Sequence, residues 1–119
     1  MAKIDDFRFG SVVIDRKKHR RDVLIFVDGT VRKRIGGFLM FGSHNIRKEE
    51  IEELAQANPE AIIVGTGTSG AASLASEVDK WAKERNLNLI VQPSYEAVAN
   101  LNELTEEKKR VAALIHITC

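Results

Sequence analysis

Residues 62–73 read IIVGTGTSGAAS, and this stretch holds the residues of the chain best suited to contact a ligand. Its glycines match G-x-G-x-x-G, the fingerprint of dinucleotide-binding turns. In such turns glycine lets a phosphate approach the backbone, and the N–H groups at the start of the following helix attract its charge. Hydroxyl groups within the turn could donate further hydrogen bonds. The candidate ligand-binding residues are Gly65, Thr66, Gly67, Ser69, Gly70 and, if the neighbouring strand ends beside them, Ser94.

A nucleotide cofactor fits this turn poorly. The next predicted strand ends in Gln92-Pro93, without the acidic residue that would hold a ribose. Only two strands follow the turn, and no Gly-Lys-Ser/Thr is present to form a P-loop. We therefore expect no cofactor. The plainer interpretation is that the glycines serve a tight strand-to-helix turn and close helix packing, and anion binding stays open beside it.

Other reactive residues form no recognisable set. The residues that could bind a metal through nitrogen or sulfur are His19, His44, His116 and Cys119. No two of them have the spacing of a metal site. Ser69 does not stand in a G-x-S-x-G nucleophile turn. A reactive Cys119 would need a base and a lowered pKa. The sequence therefore predicts no metal and no catalytic residues, and favours a protein that is not an enzyme.

The first part of the chain predicts an antiparallel β-meander. Residues 7–15 (FRFGSVVID) are strand-like, and the charged run 16–21 is typical of a turn or a polar connection. Residues 22–27 and 30–35 predict two further strands. Asp28-Gly29 between them is a strong hairpin signal.

The remainder alternates between helices and strands. A helix is predicted from Arg47 to the Asn58-Pro59 stop, with Ile51, Leu54 and Ala55 on its apolar face and the four glutamates within 49–53 mostly outside that face. The other predicted segments are strand 61–64, helix 71–85, strand 87–91, a helix opened by Pro93-Ser94 with Tyr95, Val98, Leu101 and Leu104 on one stripe, and strand 110–119. Ser94 is expected to cap its helix. Strand 110–119 is apolar on both faces, which places it inside a sheet. The order predicts an α/β fold with an N-terminal antiparallel addition.

Composition is ordinary for a soluble protein of 119 residues, with 44% hydrophobic and 29% charged residues. We expect residues 1–119 to form one domain. The single cysteine excludes an internal disulfide, and no secretory or membrane-spanning segment is apparent. These features predict a cytoplasmic protein that does not enter membranes.

Positive charge is concentrated near the N-terminus. Residues 1–40 contain ten Lys and Arg against five Asp, mostly within 16–21 and 32–34. Such clusters attract phosphates, but they are also typical of solvated hairpins and protected strand edges. Because no aromatic residues are interleaved with them, we regard nucleic acid as an unlikely partner.

The segment GGFLMFGSHN (36–45) combines glycines with the apolar run Phe38–Phe41. The apolar side chains either cover an edge of the core or contact a partner. We favour the first interpretation, and the second stays open.

Several motifs resemble a known family. They are Asp28-Gly29-Thr30-Val31, Ile63-Val64-Gly65-Thr66-Gly67 with Ser69-Gly70, Pro93 with Glu96-Ala97 and Asn102, and Arg110-Val111-Ala112-Ala113 with His116-Ile117-Thr118-Cys119. The chain resembles the small proteins of unknown function that include the adipogenesis-associated domain protein and a mitochondrial assembly factor for respiratory complex I. This resemblance implies a three-layer α/β domain with a central mixed sheet. It implies no established activity, and the members with a described role act through other proteins.

The leading functional expectation is therefore a non-enzymatic domain that binds another protein, as an assembly or accessory factor does. A second copy of the chain is an alternative partner. The rival hypothesis is a small-molecule or anion-binding protein, or a weak enzyme, that uses the turn at Gly65–Gly70.

Overall fold

The computed structural model describes residues 2–34 and 45–119. Strands β1 (Ile4–Arg8), β2 (Ser11–Ile14) and β3 (Lys17–His19) form an antiparallel three-stranded sheet. The prediction of one strand over 7–15 was wrong, because a turn at residues 9–10 divides it. The prediction of a turn or a polar connection over 16–21 was right for Arg16, which lies in a turn, but wrong for residues 17–19, which form a strand. Asp15 and Arg16 both have positive φ, which makes the two-residue hairpin turn that lets residues 17–19 return as a strand.

In the part of the chain that the structure describes, the central sheet has five strands in the order β5-β4-β10-β7-β9. These strands are β4 (Val23–Ile25), β5 (Val31–Lys33), β7 (Ala61–Gly65), β9 (Leu89–Gln92) and β10 (Val111–Ile115). β10 lies between β4, which is antiparallel to it, and β7, which is parallel to it. The sheet is therefore mixed, and the prediction of an inner position for the last strand is confirmed.

The predicted hairpin at Asp28-Gly29 is confirmed. The backbone N–H of Phe26 donates to the carbonyl of Thr30 over 2.8 Å, which closes the loop between β4 and β5. Gly29 has a φ of 90°. The Asp28 carboxylate accepts the N–H of Thr30 over 2.9 Å.

Within the described residues, three helices cover the sheet: α1 (Lys48–Ala55), α2 (Ser76–Glu84) and α3 (Ser94–Glu106). A short parallel pair, β6 (Asn45–Ile46) and β8 (Ser73–Leu74), joins the start of α1 to the segment before α2. The predicted helix over 71–85 was therefore wrong at its beginning, where residues 73–74 pair as a strand and the helix begins at Ser76.

Apolar side chains fill both sides of the central sheet. On one face Ile63 and Ala113 pack with α3 and the N-terminal meander. On the other face Val64 and Leu114 pack with α1 and α2. This arrangement confirms the three-layer α/β architecture. The apolar run 38–41, expected to cover the core or to contact a partner, lies outside the described residues.

No helix in the described ranges is long and apolar enough to cross a membrane.

Candidate functional site

The glycine turn follows β7, and its N–H groups bind oxygens of the chain itself. Gly67 N–H donates to the hydroxyl of Ser94 over 2.8 Å. Thr68 N–H donates to the carbonyl of Thr118 over 2.8 Å, and Ala71 N–H to that of Cys119 over 2.7 Å. The donors that the sequence offered to an anion are therefore engaged by the segment that follows β10 and by the start of α3.

The glycines make this close approach feasible. Gly67 has a φ of 106°, and a Cβ there would overlap the backbone of Thr118 and Cys119. A Cβ on Gly65 would lie 2.7 Å from the Ser94 hydroxyl. Gly70 also has a positive φ, of 71°. These observations match the plainer interpretation, in which glycine geometry serves tight turns and close packing.

Ser94 joins three parts of the fold. Its side chain is fully buried, and its hydroxyl accepts from Gly67 N–H while donating to the carbonyl of His116 over 2.6 Å. The structure thus brings Ser94 beside the turn, because β7 and β9 are neighbours. The expected helix cap was wrong. Pro93 is the N-cap and Ser94 the first residue of α3, and the Ser94 hydroxyl bonds to Gly67 and His116 instead of to its own helix.

The remaining candidate residues are also held by the protein. Thr66 donates its hydroxyl to the carbonyl of Gln92 over 3.1 Å, and Ser69 donates to the carbonyl of Cys119 over 3.1 Å. Because α2 begins only at Ser76, its positive dipole end does not lie directly after Gly70. A ligand at this turn would have to displace the oxygen of Cys119, and ligand binding here stays a prediction.

A buried ionic cluster lies near the same end of β10. The Arg34 guanidinium donates to Asp22 Oδ2 over 2.8 Å and to Glu50 Oε1 over 2.5 Å. Asp22 Oδ2 also lies 2.7 Å from His116 Nδ1, and Oδ1 accepts the N–H of Ile117. All four side chains of the cluster are at least nine-tenths buried. The cluster ties β4, α1 and the segment after β10 to residue 34.

The partners within this cluster shift the pKa values of Asp22 and Arg34 toward their charged forms. Burial alone would raise the pKa of the Asp22 carboxyl, but hydrogen bonds from His116 and Ile117 outweigh it and hold that pKa below its ordinary value. Burial would lower the pKa of Arg34, but Glu50 and then Asp22 raise it. Within the described ranges no buried side-chain nitrogen or oxygen lacks a hydrogen-bond partner. The cluster therefore has the completed hydrogen bonding of a structural network.

Sequence reasoning missed most of this cluster. The glutamates of α1 were expected mostly outside its apolar face, but Glu50 is buried against Arg34 and also accepts the N–H of Arg47 over 2.9 Å. Its members come from distant positions, with a sequence separation of 16 for Glu50 and Arg34 and of 94 for Asp22 and His116. The sequence shows ionisable residues within predicted strands and helices, but it does not show which of them contact one another.

Two exposed aromatic side chains, Phe9 and Tyr95, lie next to residues that contact the segment after β10. Phe9 is 61% exposed and Tyr95 is 54% exposed. The Tyr95 ring meets the buried ring of Phe7 edge to face at 4.9 Å. Gly10, next to Phe9, donates its N–H to the carbonyl of Ile117 over 2.7 Å. Tyr95 was predicted on the apolar stripe of α3, and the structure leaves more than half of it in solvent.

Comparison with known proteins identifies the family. The model of the family described as "Protein of unknown function (DUF498/DUF598)" matches residues 4–116, nearly the whole chain. The chain belongs to the DUF498 family. This confirms the resemblance to a family of small proteins of unknown function.

Solved structures of similar proteins share the fold of this DUF498 domain. A protein named MT938 is 34% identical, with full coverage of both chains and a TM-score of 0.82. The conserved hypothetical protein PH1505 from Pyrococcus horikoshii is also 34% identical, with 98% of this chain and 99% of that chain covered and a TM-score of 0.81. A Bordetella pertussis protein described as a Mth938-like domain is 16% identical over 98% of this chain and 85% of its own, with a TM-score of 0.70. This last likeness concerns the fold alone.

Proposed function

We propose that this DUF498 domain acts by binding another protein, as an assembly or accessory factor, and performs no chemistry of its own. The observation that carries the proposal is the exposure of Phe9 and Tyr95 at one end of the fold. Exposed aromatic side chains are enriched where proteins meet, because they bury a large apolar area with few rotatable bonds. We call Phe9 and Tyr95 the aromatic pair.

The polar groups of the domain support the same proposal. Asp22 and His116, the pair that most resembles a base with its orienting carboxylate, are buried within the ionic cluster. His116 Nε2 lies 3.2 Å from the Thr118 hydroxyl, so both ring nitrogens have protein partners. The N–H groups of the glycine turn bind the chain itself. Such satisfied groups stabilise a scaffold.

The partner is a second protein or a second copy of this chain. We propose that the complex forms in the cytoplasm, because a single cysteine fits a reducing compartment. Affinity capture from cells that encode the protein, followed by size-exclusion chromatography, tests it. We expect a partner or a dimer with the wild type and its loss with Phe9→Ser/Tyr95→Ser. The matched control Phe9→Tyr/Tyr95→Phe keeps both rings and should retain binding. Neither partner nor self-association with the wild type would refute the proposal.

A second candidate function is anion or small-molecule binding at the glycine turn. One observation favours it: Ser69 Oγ and Ala71 N–H both donate to the oxygen of Cys119, so the turn holds an oxygen acceptor. A ligand with a carboxylate or phosphate would take the place of that oxygen. A panel of nucleotides and phosphorylated metabolites should then raise the melting temperature of the wild type, and Ser69→Ala should reduce the shift. A panel without any shift counts against this candidate.

A further inference from the structure

A groove of about 580 Å³ is lined by residues 17–21 and 31–33, and these residues carry a dense positive charge. Six of them are lysine or arginine, and none of the described residues lining the groove is acidic. Lys17, Lys18 and Lys33 are exposed and form no ion pair within the described ranges. Two clusters that lie ten residues apart in sequence therefore meet in one place. We call this feature the basic groove.

Two residues of the basic groove, Arg32 and His19, add less to its positive charge than the lysines do. Arg32 forms an ion pair with Glu53 over 2.9 Å and lies 4.5 Å from the centre of the Phe26 ring. Burial and then the charge of Lys17 lower the pKa of His19. The lysines thus provide the positive potential that no described carboxylate in the groove balances.

The groove also lies between two strands that each have one edge without a partner strand among residues 2–34 and 45–119. β3 is the edge of the meander and β5 is an edge of the central sheet. On either side of β5, the Thr30 carbonyl accepts the N–H of Phe26 and the Arg34 N–H donates to the carbonyl of Asp22. By ladder alternation, Val31 and Lys33 within β5 therefore direct their N–H and C=O groups away from β4. In β3, the hairpin turn at 15–16 pairs Lys17 with Ile14, which leaves the backbone of Lys18 facing outward. Unpaired edges of this kind can accept an additional strand.

We propose that the basic groove binds an extended acidic segment of a partner protein, which adds as a strand to one of these edges. This inference deepens the proposed function and rests on it. Lysines on edge strands repel basic strands and would have to lose water to pair with an apolar strand, whereas they attract a strand that carries carboxylates. The backbone edges favour a polypeptide over a nucleic acid, since nucleic acid makes no use of a strand ladder.

Fluorescence anisotropy with a labelled peptide of alternating Glu and Val tests the proposal. We expect the peptide to bind the wild type, and Lys18→Glu/Lys33→Glu to weaken binding by about tenfold or more, the equivalent of about 1.4 kcal/mol. The control Lys80→Glu/Lys109→Glu makes the same change of net charge on exposed positions elsewhere, and it should stay within about twofold of the wild type. Equal affinity for both double variants would overturn the groove assignment.

Two further probes separate strand addition from simple attraction of charge. The same peptide with alternate backbone nitrogens methylated keeps its carboxylates but loses edge donors, and should bind about tenfold more weakly. Unchanged binding would overturn strand addition. A single-stranded oligonucleotide of equal charge should bind more weakly than the peptide, and tighter binding would replace the protein segment by nucleic acid.

The outcome is distinguishable from failure of the proposed function. If a captured partner is lost with Phe9→Ser/Tyr95→Ser but retained by Lys18→Glu/Lys33→Glu, protein binding stands and the groove inference falls. If neither a partner nor self-association is found but the acidic peptide binds as expected, the proposed function falls, while the affinity of the basic groove for an acidic strand stands. If neither occurs, both proposals are refuted.

Discussion

The backbone of Gly67 lies directly against the backbone of Cys119, in a position that a side chain on residue 67 would occupy. The glycine turn therefore receives the chain's own segment after β10. Thr68 and Ala71 complete the contact by donating their N–H groups to residues 118 and 119. The G-x-G-x-x-G pattern serves here to hold two parts of one chain together.

Gly67→Ala should lower the free energy of unfolding by about 2–4 kcal/mol, because the residue has a positive φ and its Cβ would overlap Cys119. Gly10→Ala is a matched control: Gly10 has a φ of 86°, but a Cβ there would meet no atom within 4 Å. The control should cost only about 1–2 kcal/mol, the strain of left-handed backbone. Urea unfolding of both variants measures the difference. Equal losses would show that contact with Cys119 adds nothing.

Ser94→Ala should destabilise the protein by about 2–4 kcal/mol, because it removes the buried hydroxyl that accepts from Gly67 N–H and donates to the His116 carbonyl. Ser76→Ala is the control, since the side chain of Ser76 is exposed at the start of α2. That change should stay within about 0.5 kcal/mol. Denaturant midpoints at constant m-value give both numbers. A neutral Ser94→Ala would mean that the bridge can be replaced without loss.

Arg34→Met should cost about 3–5 kcal/mol, because the carboxylates of Asp22 and Glu50 then stay buried without their cation. Lys83→Met removes an exposed partner of Asp79 in α2 and should cost about 1 kcal/mol or less. Circular dichroism during urea titration compares the two. If Arg34→Met does not fold, Arg34→Lys provides a second test, because it keeps the positive charge but lacks the planar guanidinium. Its loss of unfolding free energy should be larger than that of Lys83→Met and smaller than that expected for Arg34→Met. A loss no larger than that of Lys83→Met would contradict the account of the ionic cluster.

The pKa of Asp22 is lower in the folded protein than in the unfolded chain. Its contribution to stability is therefore fully present well above the unfolded value of about 3.9 and is lost as pH falls below it and through the folded pKa. Between pH 6 and pH 3 the wild type should lose more stability than Asp22→Asn. Asp79→Asn, at an exposed position, should follow the wild type. An NMR titration of the Asp22 carboxyl gives the direction directly, and a pKa above 3.9 would contradict this prediction.

The sequence predicted the α/β order, the β4–β5 hairpin and the inner position of β10, because these follow from local periodicity and turn chemistry. It could not predict the hairpin turn at Asp15 and Arg16, since positive φ at arginine has no sequence signal. The start of α2 was missed for a related reason. Residues 73–74 pair with 45–46, a contact that local helix preference cannot show.

The candidate site was predicted in part. The residues of the turn and Ser94 do come together. Their hydrogen-bond partners depend on where the chain after β10 runs, which is a tertiary property. The burial of Glu50 likewise depends on Arg34, whose place beside α1 is set by the sheet.

Photo-crosslinking at position 95 tests the central claim, that this domain binds another polypeptide through the aromatic pair. Benzoylphenylalanine replaces Tyr95 in one protein and exposed Glu103, further along α3, in a control. After irradiation in the native cells, mass spectrometry identifies crosslinked chains. The account predicts a crosslinked polypeptide from position 95 and little from position 103. No crosslink from position 95, or equal yields from both positions, would contradict it.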